Sequence, residues 1–269
     1  MRHNGFNCHA GNRTRYPRVY TGDLMTDLAP TAVQAEAAPK GPLSRIFGVL
    51  VSPRATFASV AAHPKALDVL LLSVLVLAVG MCLFLRSQVG QDAWIDQQVR
   101  QSEAFGRSFN EQQYAGLERI APLIGYIVLG IYIVAIPIVV AILSGILLGI
   151  FNALLGGDAS FKQVFAIVSH AGVITVVGGL FALPLFYARQ TLSSPTTLGV
   201  FVPFLDENTF LARMLGTIDI FQLWWLLTLA IGLGVLYKRR TTPIAVSLYT
   251  VYFVIILAIA ALRTALSSS

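Results

Sequence analysis

The sequence predicts an all-α polytopic membrane protein, a bundle of five transmembrane helices preceded by a cytosolic amphipathic N-terminal helix. Three observations carry this reading. Of 269 residues, 56% are hydrophobic and 12% charged, with a mean hydropathy of +0.72, whereas soluble domains carry about 25% charged residues. Five apolar runs lack any Asp, Glu, Lys or Arg over roughly the 17–25 residues that cross a bilayer. Finally, Leu154-Leu-Gly-Gly-Asp-Ala-Ser-Phe-Lys-Gln163 sets turn-formers and one lysine between the two longest runs, the pattern of a transmembrane helical hairpin. The net charge of +6 therefore reports topology and contact with anionic lipid, with no nucleic-acid partner implied.

Residues 1–42 read as a disordered cytosolic tail, with scattered arginines followed by an Ala/Pro-rich stretch and no targeting segment. Translation starts at Met1 or at Met25; an intact mass carrying Met1 or Arg2 at the N-terminus excludes the second. His3, Cys8 and His9 lie close in sequence but in a floppy tail, so no metal site is expected there. Cys8 and Cys82 are the only cysteines, and the topology keeps them apart.

Residues 43–65 form an amphipathic segment with Ile46, Phe47, Leu50, Val51, Phe57 and Val60 at helical spacing beside Arg45, Arg54 and Lys65. Ser52-Pro53 reads as a capping side chain followed by proline at the first helical position. Such a helix either lies at the headgroup level with its basic residues near anionic lipid or packs as a cytosolic elbow.

The five-span domain covers 66–263, with spans at about 67–86, 121–155, 161–187, 217–237 and 244–262; 264–269 is a short tail. The first run, Val69–Leu85, has 17 uncharged residues between Asp68 and Arg86. The polar segment 86–119 reads as one or two interfacial helices, with Trp94 and Tyr114 suited to the headgroup region. Ile120–Leu155 has 36 uncharged residues, about 54 Å at ~1.5 Å per residue, too long for one straight span and too short for two with a turn. The expectation is one long tilted helix that starts near Pro122 and kinks at Pro137. Ala141, Gly145, Gly149 and Ala153 form a small-residue stripe on it, expected to face residues 167–172 of the third helix.

Gly156 and Gly157 are expected to end that helix in left-handed conformations. Ser160 and Gln163 match a capping box that starts the third helix. His170 is then about 14 Å along that helix at ~1.5 Å per residue, near Ser144. A lone intramembrane ionisable group is a functional candidate, set against a neutral imidazole bonded to Ser144 or a carbonyl for packing. Residues 189–213 form a semi-apolar outer loop lying against the membrane. Asp219 then opens the fourth helix, where the helix dipole favours a carboxylate, followed by Trp224. The fifth span has 19 residues, Ile244–Leu262. With the N-terminus inside, the inner segments hold twelve Lys and Arg and the outer ones seven, and Lys238-Arg-Arg240 fixes the local sense: N-terminus cytosolic, C-terminus outside.

Three motifs in this order resemble the Yip (Ypt-interacting protein) domain family of integral membrane proteins, especially its prokaryotic branch. They are Ser-Pro-Arg-Ala-Thr-Phe at 52–57, Gly-Gly-Asp-Ala-Ser-Phe-Lys-Gln at 156–163 and Asp-Ile-Phe-Gln-Leu-Trp at 219–224, within a likeness spanning about Phe47–Leu262. The resemblance implies a five-span domain with a cytosolic N-terminus. In eukaryotes it implies Rab GTPase interaction and vesicle traffic, so a small GTPase is a partner only where that role applies. The eukaryotic Asp-Leu-Tyr-Gly-Pro motif is not found ahead of the first span. His170 stands where the family often has Tyr, which argues against a shared relay at that position.

The function expected is a non-catalytic membrane scaffold of the cell membrane (the inner membrane, if bacterial) that meets lipid and a membrane-protein partner or a second copy, with a membrane-organising or trafficking-like role. No catalytic, cofactor-binding or metal residue is expected. An aspartyl pair from Asp68 and Asp219 fails because the two stand on opposite faces, and Leu143-Ser144-Gly145 lacks a nucleophile elbow. The alternative is a small-solute or ion transporter or channel using the second and third helices; against it stand the missing inverted repeat and the scarcity of intramembrane charges. The candidate residues are Gly145, Gly149, Gly156, Gly157, Ser160, Gln163, His170, Asp219 and Trp224.

Overall fold

A computed structural model describes residues 41–104, 108–154, 156–205 and 209–267; for Ala104, Leu154 and 263–267 it describes the backbone alone. The expectations for the N-terminal tail, including the alternative start and the His3–Cys8–His9 cluster, fall on residues 1–40 and so outside the described ones. The described chain is helical with no strand. One antiparallel bridge joins Thr197 and Asp219.

The helices are α1 Pro42–Val51, α2 Pro53–Ala62, α3 Leu67–Leu85, α4 Gln88–Ala104, α5 Glu111–Leu148, α6 Phe161–Ala171, α7 Val173–Arg189, α8 Phe210–Leu215, α9 Ile220–Leu236 and α10 Thr241–Ser267. Four stretches are long and apolar enough to cross a bilayer: α3, α5 with its extension to Ala153, α6–α7 together, and α10. Two apolar helices are shorter, α1 and, at 17 residues, α9.

Burial sorts these into centre and rim. Over half of the most apolar window of α6–α7 is buried, against 11% for α5 and 17% for α10. The core clusters Phe57 and Val60 of α2 with Val164, Ile167 and Ile174 of α6–α7 and Leu229 and Leu233 of α9. α5 presents Ile131, Val134, Ile138, Val139 and Ile142 outward. In water such a surface would drive aggregation, but against acyl chains it is the ordinary exterior of a membrane bundle.

Local chemistry moves several boundaries from their expected places. α5 starts at Glu111, well before Pro122, because Asn110 and Gln113 form a reciprocal capping box. It runs through Pro122 and Pro137, and its helical form changes only at Gly149, where a π-helical turn runs to Leu154. The third apolar run is divided at Gly172, between α6 and α7. α2 begins at Pro53 with Ser52 at its cap, yet the Ser52 side chain makes no capping bond; the Ser52 carbonyl instead accepts from the Thr56 hydroxyl at 3.1 Å.

The small-residue stripe does not face the third helix. A methyl group at Gly145 or Gly149 would meet nothing within 4 Å, and both residues are exposed. The face of α5 turned to α6 carries Ser144, Leu147 and then Phe151. Regular spacing of small residues permits close approach without enforcing it, and larger side chains fill this seam. The close approach occurs elsewhere: a methyl at Gly125 would lie 2.9 Å from the Cys82 carbonyl of α3, and the Arg86 guanidinium sits over the Tyr126 ring at 5.0 Å.

Candidate functional site

The N-terminal elbow is part of the bundle. Gly48 lets α1 cross α2 closely, since a methyl there would lie 2.3 Å from the Thr56 hydroxyl oxygen. α2 then drives Phe57, fully buried, between α6 and α9. Gly232 of α9 makes room, because a methyl on it would lie 2.6 Å from Ile167 and 3.2 Å from Phe57.

Of the two expectations for the segment, headgroup contact and a packed elbow, Arg45 follows the second and points into the bundle. It is 7% exposed, while Leu43, Phe47 and Val51 of the same helix are 63%, 67% and 81% exposed. Its guanidinium forms an ion pair with Asp68 at the start of α3. Nη1 donates to the Lys65 carbonyl at 2.8 Å and lies 3.4 Å from His170 Nε2 on α6. Nε is buried without a hydrogen-bond partner among the described residues. Asp68 Oδ1 accepts from the Val69 amide at 2.9 Å. A buried guanidinium is tolerated because carboxylate, carbonyl and imidazole acceptors surround it.

The His170 tautomer follows from its partners. Nδ1 lies 2.8 Å from the Ala166 carbonyl, which can only accept, so Nδ1 carries the proton. Nε2 then presents its lone pair to Arg45, and a second proton there would face a cation. His170 is fully buried and acts as an acceptor for Arg45; Arg45, Asp68 and His170 together form a latch between α1, α3 and α6. Ser144, its expected neighbour in bonding, instead donates to its own helix at the Val140 carbonyl, 2.6 Å away. Ser169 does likewise with Phe165 at 2.7 Å. These polar side chains of α5 and α6 are each closed on a carbonyl four residues back and build no ladder across the seam.

The hairpin turn sits at the same end and bonds to the elbow. Ser160 and Gln163 cap α6 reciprocally, and the Gln163 amide also donates to the Ala61 carbonyl of α2 at 3.1 Å. Gly156 takes the left-handed conformation, φ +67°. Gly157 does not, and its reason is space: a methyl there would lie 2.5 Å from the Tyr237 ring. Tyr237 stacks on Phe151 at 4.7 Å and donates to Asn152 Oδ1 at 3.0 Å, while Asn152 donates to the Ala159 carbonyl at 2.8 Å. Elbow, turn and the start of α10 thus share one end of the bundle.

Asp219 stands at the other end. It caps α9, accepting from the amides of Phe221 and Gln222, and its second oxygen accepts from Ser194 at 3.0 Å and from Thr196. Trp224 is 39% exposed and lies beside Phe221, ring centroids 6.2 Å apart, outside both clusters.

Sequence reasoning found His170 but missed its partners. The signal was there: Arg45 is the one charge in the ten residues of α1, and Asp68 is the one charge in α3. Lone ionisable groups in otherwise apolar segments imply one another as partners.

Residues 47–262 match the family model described as the Yip1 domain. No curated protein matches the chain, and no solved structure does. The matched stretch takes in the elbow from Phe47, the turn and every membrane-length helix, and the chain belongs to the Yip1 domain family of multi-pass membrane proteins.

Proposed function

We infer that the protein is a non-catalytic scaffold of the cell membrane, nearest the prokaryotic branch of its family, that organises lipid or a membrane partner through its elbow-and-turn end. The observation that carries this is the inverted elbow: Arg45 holds α1 into the bundle from within, which leaves Leu43, Phe47 and Val51 as an outward apolar stripe. The stripe lies at the end that also bears Lys162 and Lys238. Apolar side chains beside cations match the boundary between headgroups and acyl chains of an anionic leaflet.

Five spans with a cytosolic N-terminus are part of this reading. Support comes from α9, which starts beside Thr197 at the end of the Asp219 cluster and finishes at Tyr237 against Phe151 at the turn end. Seventeen residues rise about 25 Å at ~1.5 Å each, close to the ~30 Å hydrocarbon thickness. The basic Lys238-Arg-Arg240 then shares the inner side with the elbow. Candidate contact residues for a partner are Gly156, Ser160 and Gln163 at the turn.

The test is photocrosslinking in cells from positions 47 and 162, read by mass spectrometry. The scaffold reading expects lipid adducts at 47 and protein adducts at 162. Water-quenched probe alone at both positions would sink it. No observation here favours transport, since the polar side chains of the α5–α6 seam close on their own helices; solute flux in proteoliposomes that His170→Phe abolished would reverse that judgement.

A further inference from the structure

A cavity of about 620 Å³ lies at the opposite end from the latch, between α3, α5, α7, α9 and α10. Its size falls within the ~300–1,000 Å³ of ordinary ligand pockets. α5 and α10 each supply one wall, through Tyr132 with Ile136 and through Tyr252, without packing closely on each other. The cavity therefore opens sideways, toward the bilayer.

Its lining is graded. The deeper walls are mostly apolar, with Leu77 and Ile136 beside Thr175; the mouth, near the end of α7, joins Phe186 to the polar Ser194, Thr196, Asp219 and Gln222. Along α7 it extends from Phe186 back to Thr175, about 17 Å at ~1.5 Å per residue, which is one leaflet's share of a ~30 Å core.

The charge at the mouth has a definite sign. The start of α9 offers no anion site: the Ile220 amide donates to the Thr196 carbonyl at 3.1 Å, and those of Phe221 and Gln222 donate to Asp219. Asp219 makes no ion pair among the described residues. Its carboxylate has hydrogen bonds but no cation, so the mouth favours a cationic group. Tyr132 and Gln222 add side-chain donors with no partner among the described residues.

We propose that this cavity holds one acyl chain of a phospholipid from the adjoining leaflet, with an ammonium-bearing, ethanolamine-type headgroup at Asp219. The site rests on the multi-pass reading of the chain and not on the scaffold role, so each can fail without the other. Ile136 is the side chain to alter, because it lines the groove from the exposed helix α5 and belongs to neither core cluster.

The test is native mass spectrometry of the delipidated full chain with phosphatidylethanolamine and phosphatidylglycerol of matched acyl chains. Wild type should retain phosphatidylethanolamine over phosphatidylglycerol by about fivefold, the upper range for a solvent-accessible charge pair. Asp219→Asn keeps the cap, since Asn caps as well as Asp, and should bring the ratio to about one. Ile136→Trp should cut retention of both lipids. Ile136→Cys, alkylated after folding and compared with alkylated wild type, does the same without demanding that a tryptophan variant fold. Equal retention after blocking, a preference for phosphatidylglycerol, or a dimer that blocking converts to monomer, which would mean that a second copy fills the groove, would each overturn the proposal.

Discussion

Removing the Arg45 charge tests how the elbow is held. In Arg45→Met the side chain keeps its length and apolar stem, Asp68 at 39% side-chain exposure is rehydrated, and His170 Nε2 is left buried without a donor. An unsatisfied buried acceptor costs ~1–3 kcal/mol, so a loss of about 2 kcal/mol is expected. Asp68→Asn leaves instead a guanidinium at 9% exposure without its counterion. Breaking a fully buried pair in this way costs ~3–5 kcal/mol; the partial exposure of Asp68 reduces this to about 2–3 kcal/mol. The double variant has neither stranded charge and should lose only about 2 kcal/mol, so the two changes couple by roughly 2 kcal/mol, within the range for groups in direct contact. Unfolding in mixed micelles of dodecylmaltoside with increasing SDS, followed by fluorescence of Trp94, Trp224 and Trp225, gives all three values. Additive losses, or single variants as stable as wild type, would refute the latch.

Other changes discriminate among packing roles. Gly145→Leu and Gly149→Leu should not destabilise, because they add surface in open space and replace a poor helix former, whereas Gly232→Val pushes into Ile167 and Phe57 and should cost ~1–3 kcal/mol in the same micelle titration. Gln163→Ala removes both half of the capping box and the bond to Ala61. It should lose about 1 kcal/mol and raise the rate of proteolysis within 52–66, while Ser160→Ala should lose a similar amount without exposing the elbow. Tyr237→Phe should lose about 1 kcal/mol through the hydrogen bond to Asn152, measured by the same unfolding.

What the sequence made legible was set by short-range rules. Apolar runs, the Ser160–Gln163 capping pattern and the left-handed Gly156 depend on neighbours within a few residues, and they can be read directly. The start of α5 was equally local: Asn110-Glu-Gln-Gln113 carries the capping pattern, but the apolar run beginning at Ile120 drew the boundary ten residues too late. The inverted face of α1 was not legible in its periodicity, which fits an apolar face turned either to lipid or to protein; the lone charges Arg45 and Asp68 hinted at a pairing without saying which face of α1 it draws inward. Only the three-dimensional meeting of Arg45, Asp68 and His170, drawn from segments up to 125 residues apart, decides between them. The glycine stripe failed for the opposite reason, since spacing alone does not say which face of α5 a neighbour covers. The lateral cavity likewise depends on which helices do not pack closely, a property no single segment encodes.

The central claim, that the elbow is built into the membrane bundle, is tested most directly by hydrogen exchange of the full chain in lipid nanodiscs. The account predicts that amides of 57–62 exchange as slowly as those of α9, and that Arg45→Met speeds the elbow while leaving α9 unchanged. Exchange of 57–62 in wild type at the rate of an unfolded peptide would contradict it.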